Sequence, residues 1–301
     1  MVGTLLRNTL VIGLAATGLL PTTTFAQSGY AAPGEIGLQA GVTPIMDSIT
    51  AFHNGLLIWI ISAITLFVLA LMIYVMVRFN RRANPTPNRF SHNTLVEVVW
   101  VVVPILILLV IAAPSFAVLS DQMTVPDGER KYLGSDIFSW GEVEVPAPAL
   151  TVKATGFQWY WGYEYVDQAV GFDSYMLDDA QLAALKPGEP RLLAVDNELI
   201  VPVDTTVRLQ VTGDPGGVIH SFAVPSFGIK TDAVPGRLNE TWFYARKTGI
   251  YYGQCSELCG KDHAFMPIAV RVVEKQAFDT WMKTLQQTGL DEATLTLASI
   301  D

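Results

Sequence analysis

Leu56-Leu-Ile-Trp-Ile-Ile-Ser-Ala-Ile-Thr-Leu-Phe-Val-Leu-Ala-Leu-Met-Ile-Tyr-Val-Met-Val77 contains no charged residue. As a helix rising about 1.5 Å per residue it is long enough to cross the roughly 30 Å hydrocarbon core of a bilayer. A short polar loop follows, with Arg78, Arg81, Arg82 and Arg89; these are four of the five Lys and Arg residues before position 121. Positive charge beside a span marks the cytoplasmic side. A second apolar run, Val98 to Leu119, returns across the membrane, and its Pro104 and Pro114 predict kinks. The sequence therefore predicts a transmembrane hairpin over 53–120, with helices at about 56–78 and 95–119 and both ends outside.

Upstream, residues 1–26 have the pattern of a cleaved secretory signal peptide. Arg7 supplies the positive start, Leu10 to Leu20 is a short apolar run, and Thr24-Phe25-Ala26 is a small-x-small site before Gln27. The competing reading, an uncleaved third helix, has Gly13, Gly18 and Pro21 against it. Residues 27–52, with Pro33 and Pro44, are expected to be an exposed, exported N-terminal segment. A signal of this kind places the chain in a bacterial inner membrane, with everything from Asp121 to Asp301 in the periplasm.

The two halves differ in charge. The whole chain of 301 residues is 50% apolar with net charge −9, which excludes nucleic acid as a natural partner. From residue 121 onward, 14 Lys and Arg stand against 25 Asp and Glu, a net −11. Such a field either steers basic partners or simply keeps a surface solvated. The same half reads as β. Short segments rich in Val, Tyr, Phe and Trp, separated by Gly, Pro and Asp, fall at Leu150–Ala154, Phe157–Tyr165, Arg191–Val195, Thr206–Val211, Val218–Val224, Glu240–Arg246, Tyr251–Gln254 and Ile268–Val273. That number of strands predicts an all-β Greek-key sandwich or barrel. Phe278, Trp281, Met282 and Leu285 then predict a C-terminal amphipathic helix.

The chemistry concentrates in Gly253-Gln-Cys-Ser-Glu-Leu-Cys-Gly-Lys-Asp-His-Ala-Phe-Met-Pro267. Cys255 and Cys259 are the only cysteines, and His263 is one of four histidines. With Met266, and with His220 upstream, the domain offers two thiolates, two imidazoles and a thioether. These are soft or borderline donors suited to copper. Thioether argues against a zinc site, and a one-copper blue site leaves the second cysteine unexplained. Two thiolates can bridge two copper ions, with one histidine ending each side. A disulfide is the ordinary fate of two exported cysteines, but it does not require His220, His263 and Met266 as neighbours.

Three stretches together resemble subunit II of the cytochrome c oxidases: Gly253 to Pro267, His220-Ser-Phe-Ala-Val-Pro-Ser-Phe-Gly-Ile-Lys-Thr-Asp-Ala-Val-Pro-Gly-Arg237, and Gly156-Phe-Gln-Trp-Tyr-Trp-Gly-Tyr-Glu-Tyr165. The likeness runs from about residue 35 to 285. It implies a cupredoxin-like Greek-key barrel carrying the dinuclear copper A centre. The implied ligands are His220, Cys255, Cys259, His263, Met266 and the carbonyl of Glu257, whose side chain would hold magnesium at the contact with subunit I. The resemblance makes Trp159 the electron entry point and Glu164, Asp173 and Asp196, with Asp167 nearby, the docking acids for cytochrome c. Gln168-Ala-Val-Gly171 is neutral where relatives often carry more acids. The residues alone leave the aromatic run open to being core, with Trp159, Trp161, Tyr163 and Tyr165 on one strand face. The Glu97-x-x-Trp100 pattern implies a proton-path entrance at Glu97; physical chemistry alone makes it a carboxylate at a helix N-terminus.

The implied activity is electron transfer from cytochrome c through the copper pair to heme in subunit I, where oxygen is reduced to water and protons are translocated. The other oxidase subunits are further expected partners. No Cys-x-x-Cys-His occurs in the sequence, so no heme is expected in this chain. Quinol oxidase subunit II lacks the copper ligands, and nitrous oxide reductase needs a large further catalytic domain. A membrane-tethered copper-delivery protein leaves the aromatic motif and Glu257 without a role.

Overall fold

The computed structural model describes residues 29–86, 89–139 and 141–298. The signal-peptide expectation for 1–26 lies outside them. Helix α1 (Pro44–Phe52) starts where Thr43 caps it through the Met46 N–H, with proline at the first helical position. One π-helical turn (His53–Leu57) joins it to α2 (Ile58–Arg78), and α3 (Thr94–Met123) follows the loop. The two long helical stretches, Pro44–Arg78 and Thr94–Met123, are apolar and long enough to cross a membrane, and their apolar side chains are largely exposed. Thr43-Pro44 begins the first helix well before Leu56. The 27–52 segment is therefore not wholly exposed: Val42, Thr43, Ile45, Met46 and Ser48 are buried.

Beyond α3, a two-residue ribbon, β1 (Lys131–Tyr132) with β2 (Val143–Glu144), leads into two five-stranded sheets. The first comprises β3 (Leu150–Phe157), β4 (Tyr160–Tyr165), β5 (Val170–Ser174), β7 (Thr206–Gly213) and β10 (Asn239–Tyr244), in the order β10-β7-β3-β4-β5. The second comprises β6 (Leu199–Pro202), β8 (His220–Val224), β9 (Ile229–Ala233), β11 (Gly249–Cys255) and β12 (Pro267–Val273), in the order β6-β12-β11-β8-β9. Among the strands of the described residues, only β3–β7 and β6–β12 pair in parallel. Alternation along β3, β4 and β7 turns Val152, Ala154, Trp161, Tyr163, Tyr165, Val207, Leu209 and Val211 inward. They share one core with Phe222, Val224, Tyr251, Ile268 and Val270 of the second sheet. Each buried Val, Leu, Ile or Phe among them gains about 1.5–3 kcal/mol, which makes the two facing sheets a stiff frame for the loops at their ends. Short helix α4 (Asp179–Leu185) decorates the β5–β6 connection. Helices α5 (Lys275–Thr288) and α6 (Leu290–Ala298) close the end, with Phe278, Trp281, Met282 and Leu285 buried.

Three sequence expectations change. Arg191–Val195 is a turn with Leu192 at φ 69°, and Val195 makes only an isolated bridge to Met176. The run Phe157–Tyr165 is not one strand, because Gln158-Trp159 forms the turn between β3 and β4. Trp159 consequently leaves the core face that Trp161, Tyr163 and Tyr165 share.

Candidate metal centre

β8 begins with His220, fully buried, and β11 delivers Cys255 beside it through the Cys255–Phe222 register. The chain then loops through Glu257 and Cys259, makes a 3₁₀ turn over His263–Phe265, and returns into β12 behind Met266. This closes the donors into a chain of near contacts. Cys255 Sγ lies 3.8 Å from His220 Nδ1 and 3.9 Å from Cys259 Sγ. Cys259 Sγ lies 3.6 Å from His263 Nδ1 and 3.6 Å from Met266 Sδ. The Cys255 thiol also approaches the Glu257 carbonyl at 3.3 Å. All six predicted positions therefore converge. The donor atoms of His220, Cys255 and Cys259 lie within 4.8 Å of one another.

Both cysteines are free, and 3.9 Å is far beyond the roughly 2.05 Å of a disulfide. Burial, reinforced by the neighbouring Cys255 sulfur, pushes the Cys259 thiol up to about 12. Burial and the nearby His263 push His220 down, favouring the neutral imidazole that binds metals. His220 Nε2 is buried without a hydrogen-bond partner. Three sulfurs and two imidazole nitrogens, brought together at the end of the sheets, form a donor set that fits copper.

The aromatic turn touches this cluster directly. Trp159 Nε1–H donates to the Cys259 carbonyl at 3.1 Å, and Gln158 Nε2–H donates to the same oxygen at 3.0 Å. Lys261 Nζ sits 5.4 Å from the Trp159 ring centre. Trp161, wholly buried, donates to the Met266 carbonyl at 3.3 Å. Gly156 lies under His220, where a Cβ would meet the imidazole's Cβ at 2.9 Å. Sequence reasoning passed over Gln158, Trp161 and Gly156 as individual site residues. The available signal was a glycine inside a strand, which marks close approach by another group.

The remaining predicted residues lie apart from the metal loop. Glu164 and Asp173 are exposed, on the outward side of the β4–β5 edge, and Glu164 pairs with Lys153 at 3.3 Å. Asp196 is half-buried, and its Oδ1 accepts from the Tyr175 and Asn197 N–H groups, each at 2.7 Å. Asp167 is exposed in a 3₁₀ turn. Glu97 is half-buried in the first turn of α3 and accepts from the Asn93 N–H at 3.3 Å. Glu257 presents an exposed carboxylate, and Leu258, Phe265, Val218 and Ile219 give this end of the domain an exposed apolar rim.

Two family models match the chain: the periplasmic domain of cytochrome c oxidase subunit II over residues 150–273, and its transmembrane domain over residues 31–118. The chain belongs to the cytochrome c oxidase subunit II family. A Rickettsia bellii protein named "Probable cytochrome c oxidase subunit 2" is 44% identical, covering 94% of this chain and 96% of that protein. Cytochrome c oxidase subunit 2 of Cereibacter sphaeroides is 40% identical, covering 92% of each. A crystal structure of the periplasmic domain of subunit II of the Bradyrhizobium japonicum cytochrome oxidase is 58% identical in sequence, covering 48% of this chain and 99% of that one, with a TM-score of 0.44. This subunit II is a membrane protein with a periplasmic domain.

Proposed function

We propose that this subunit II is the electron-entry subunit of its oxidase. Cys255, Cys259, His220, His263, Met266 and the Glu257 carbonyl would hold two copper ions. When bound, the pair supplies a one-electron redox centre whose charge is shared over both metals. The observation carrying this reading is the convergence of His220, His263 and Met266 on two unbonded cysteine sulfurs 3.9 Å apart. The surrounding residues do the rest. β8, β11 and β12 hold the donors rigidly, Trp161 and the core exclude water, and Gly156 admits the His220 ring.

Trp159 would receive the electron from cytochrome c, since its indole bonds the Cys259 carbonyl and lies half-exposed. Glu164, Asp173 and Asp196, with Asp167, are the proposed docking acids. Asp196 contributes chiefly by ordering its loop, because two backbone N–H groups already occupy its oxygen. Electrons would leave toward heme in subunit I across the Leu258–Phe265 rim, with the exposed Glu257 carboxylate available to magnesium there. Oxygen reduction to water, with coupled proton translocation, belongs to that partner. Glu97 is proposed at a proton entrance, the loop 79–93 in the cytoplasm, the membrane as a bacterial inner membrane, and 1–26 as a cleaved signal. Affinity purification of the tagged chain from its membrane tests the assignment. Co-purifying heme and copper with cytochrome c oxidation is expected; a heme-free preparation refutes it.

A further inference from the structure

We propose that Lys261 is a specificity-determining residue of the electron-entry surface. Its ammonium, held over the Trp159 ring, keeps cationic side chains off the indole, so that a basic donor reacts only when an uncharged patch of its own surface lies there. The inference rests on the electron-entry reading above.

The setting is acidic. Residues 156–175, which include Trp159, and residues 256–266 of the metal loop together carry Glu164, Asp167, Asp173, Glu257 and Asp262; Lys261 is their only lysine or arginine. Acids and aromatic rings share one surface. Phe157 stacks on Tyr160 with ring centres 4.7 Å apart, and Tyr160 on Tyr175 at 4.5 Å. The Tyr175 N–H donates to Asp196 Oδ1 at 2.7 Å, and Asp173 pairs in register with Gly162.

The backbone puts the single cation at the centre of this surface. Gly260 has φ 121°, which side chains rarely adopt, and a Cβ there would lie 2.9 Å from Trp159 Cζ2. The loop therefore runs directly against the indole, whose Nε1–H is already bound to the Cys259 carbonyl. The next residue follows it: Lys261 Nζ stands 5.4 Å from the ring centre, within cation–π range. Asp262 reaches the same ammonium at 3.6 Å, while the lysine side chain remains 76% exposed. Neither contact contributes much to folding at so exposed a site. The effect of the charge falls on whatever approaches the indole.

An acidic surface attracts a basic donor in many orientations, and the attraction acts on the donor's cations rather than on its redox centre. A bare indole face among carboxylates would itself draw a donor lysine or arginine, holding the redox centre away from Trp159. Lys261 makes that register repulsive, while the surrounding acids still hold cations at the donor's rim. Selection by a misplaced like charge is a recurring device of specific interfaces.

The test uses the assembled oxidase carrying Lys261→Met, which keeps a long side chain and removes the charge. A double variant, Lys261→Met with Asp262→Asn, leaves the net charge unchanged. Copper content and the copper spectrum should match the parent in both. In Lys261→Met, oxidised cytochrome c at low salt should bind about fivefold tighter, the population ratio set by two like charges about 4 Å apart in water. The rate of copper reduction at saturating reduced cytochrome c should fall by a similar factor, and should fall in the double variant too. Tighter binding with an equal or faster saturating rate would overturn the proposal, because Lys261 would then only repel. Unchanged or weaker binding in Lys261→Met would overturn it, as would an altered copper spectrum, which would assign Lys261 to the metal loop. A double variant with the parent's rate would trace the effect to the unmasked Asp262 carboxylate and overturn it as well. Failure of reduced cytochrome c to reduce the copper of the parent would instead overturn the electron-entry reading.

Discussion

Gly156→Ala tests whether the frame beneath the metal loop is as tight as its geometry implies. An alanine Cβ would sit 2.9 Å from His220 Cβ and 3.0 Å from both Cγ and Cδ2. Ordinary contact begins near 3.4 Å, so about half an ångström of movement is needed, which is the tolerance within which functional constellations must be held. The obstructing atoms are the root and ring of a wholly buried histidine in a central stretch of sheet. The strain therefore cannot escape through a flexible side-chain tip. Overpacking of this kind costs about 1–3 kcal/mol. Gly156→Ala should lower the urea midpoint accordingly and weaken copper retention under dialysis against a chelator. Gly216→Ala, whose Cβ meets only Asp214 Oδ2 at 3.9 Å, is the control. Stability and copper retention equal to that control would refute the reasoning.

Two further outcomes follow from the same contacts. Trp159→Phe removes the hydrogen bond to Cys259 O; stopped-flow mixing with reduced cytochrome c should show slower electron entry at unchanged copper content, and an unchanged rate would take Trp159 off the route. Burial alone would raise the pKa of Glu198, but Arg271 and Lys186 outweigh it and hold the carboxyl below its usual value. A depressed carboxylate contributes stability above its unfolded pKa of about 4.5, lost as pH falls through the folded value. Melting curves should therefore drop below about pH 4.5. Glu198→Gln should flatten that drop and cost up to about 3–5 kcal/mol at neutral pH by removing the buried carboxylate that Lys186 and Arg271 share, with Glu189 left as the remaining acid beside Arg271; an unaltered pH profile would contradict the assignment.

Much of this was legible in the sequence because it depended on period and chemistry. The charge-free span, the alternation of Val207, Leu209 and Val211, and the five metal donors all carry their signal in the residues themselves. What escaped was set by tertiary context. Besides the two-residue ribbon β1–β2, the missed strands β5, β6 and β9 are all edges of the five-stranded sheets. Gly171-Phe-Asp and Lys230-Thr-Asp look like loop because an edge tolerates polar residues and weak pairing. Leu199–Pro202 is buried at every position and so has no alternation to read. The Thr43-Pro44 helix start was available as a cap followed by proline, but proline also marks loops. The bond from Trp242 Nε1–H to the Asp121 carbonyl joins residues 121 positions apart in sequence, a contact that no local pattern encodes. Glu198, Lys186 and Arg271 likewise meet only in the folded domain.

The central claim is tested most directly by loading the purified full chain in detergent with copper, counting metal per chain and recording its electron paramagnetic resonance spectrum. The account predicts two coppers per chain and hyperfine splitting from one electron shared equally between two nuclei, lost in Cys259→Ser. A single localised copper, or a parent spectrum that survives Cys259→Ser, would contradict it.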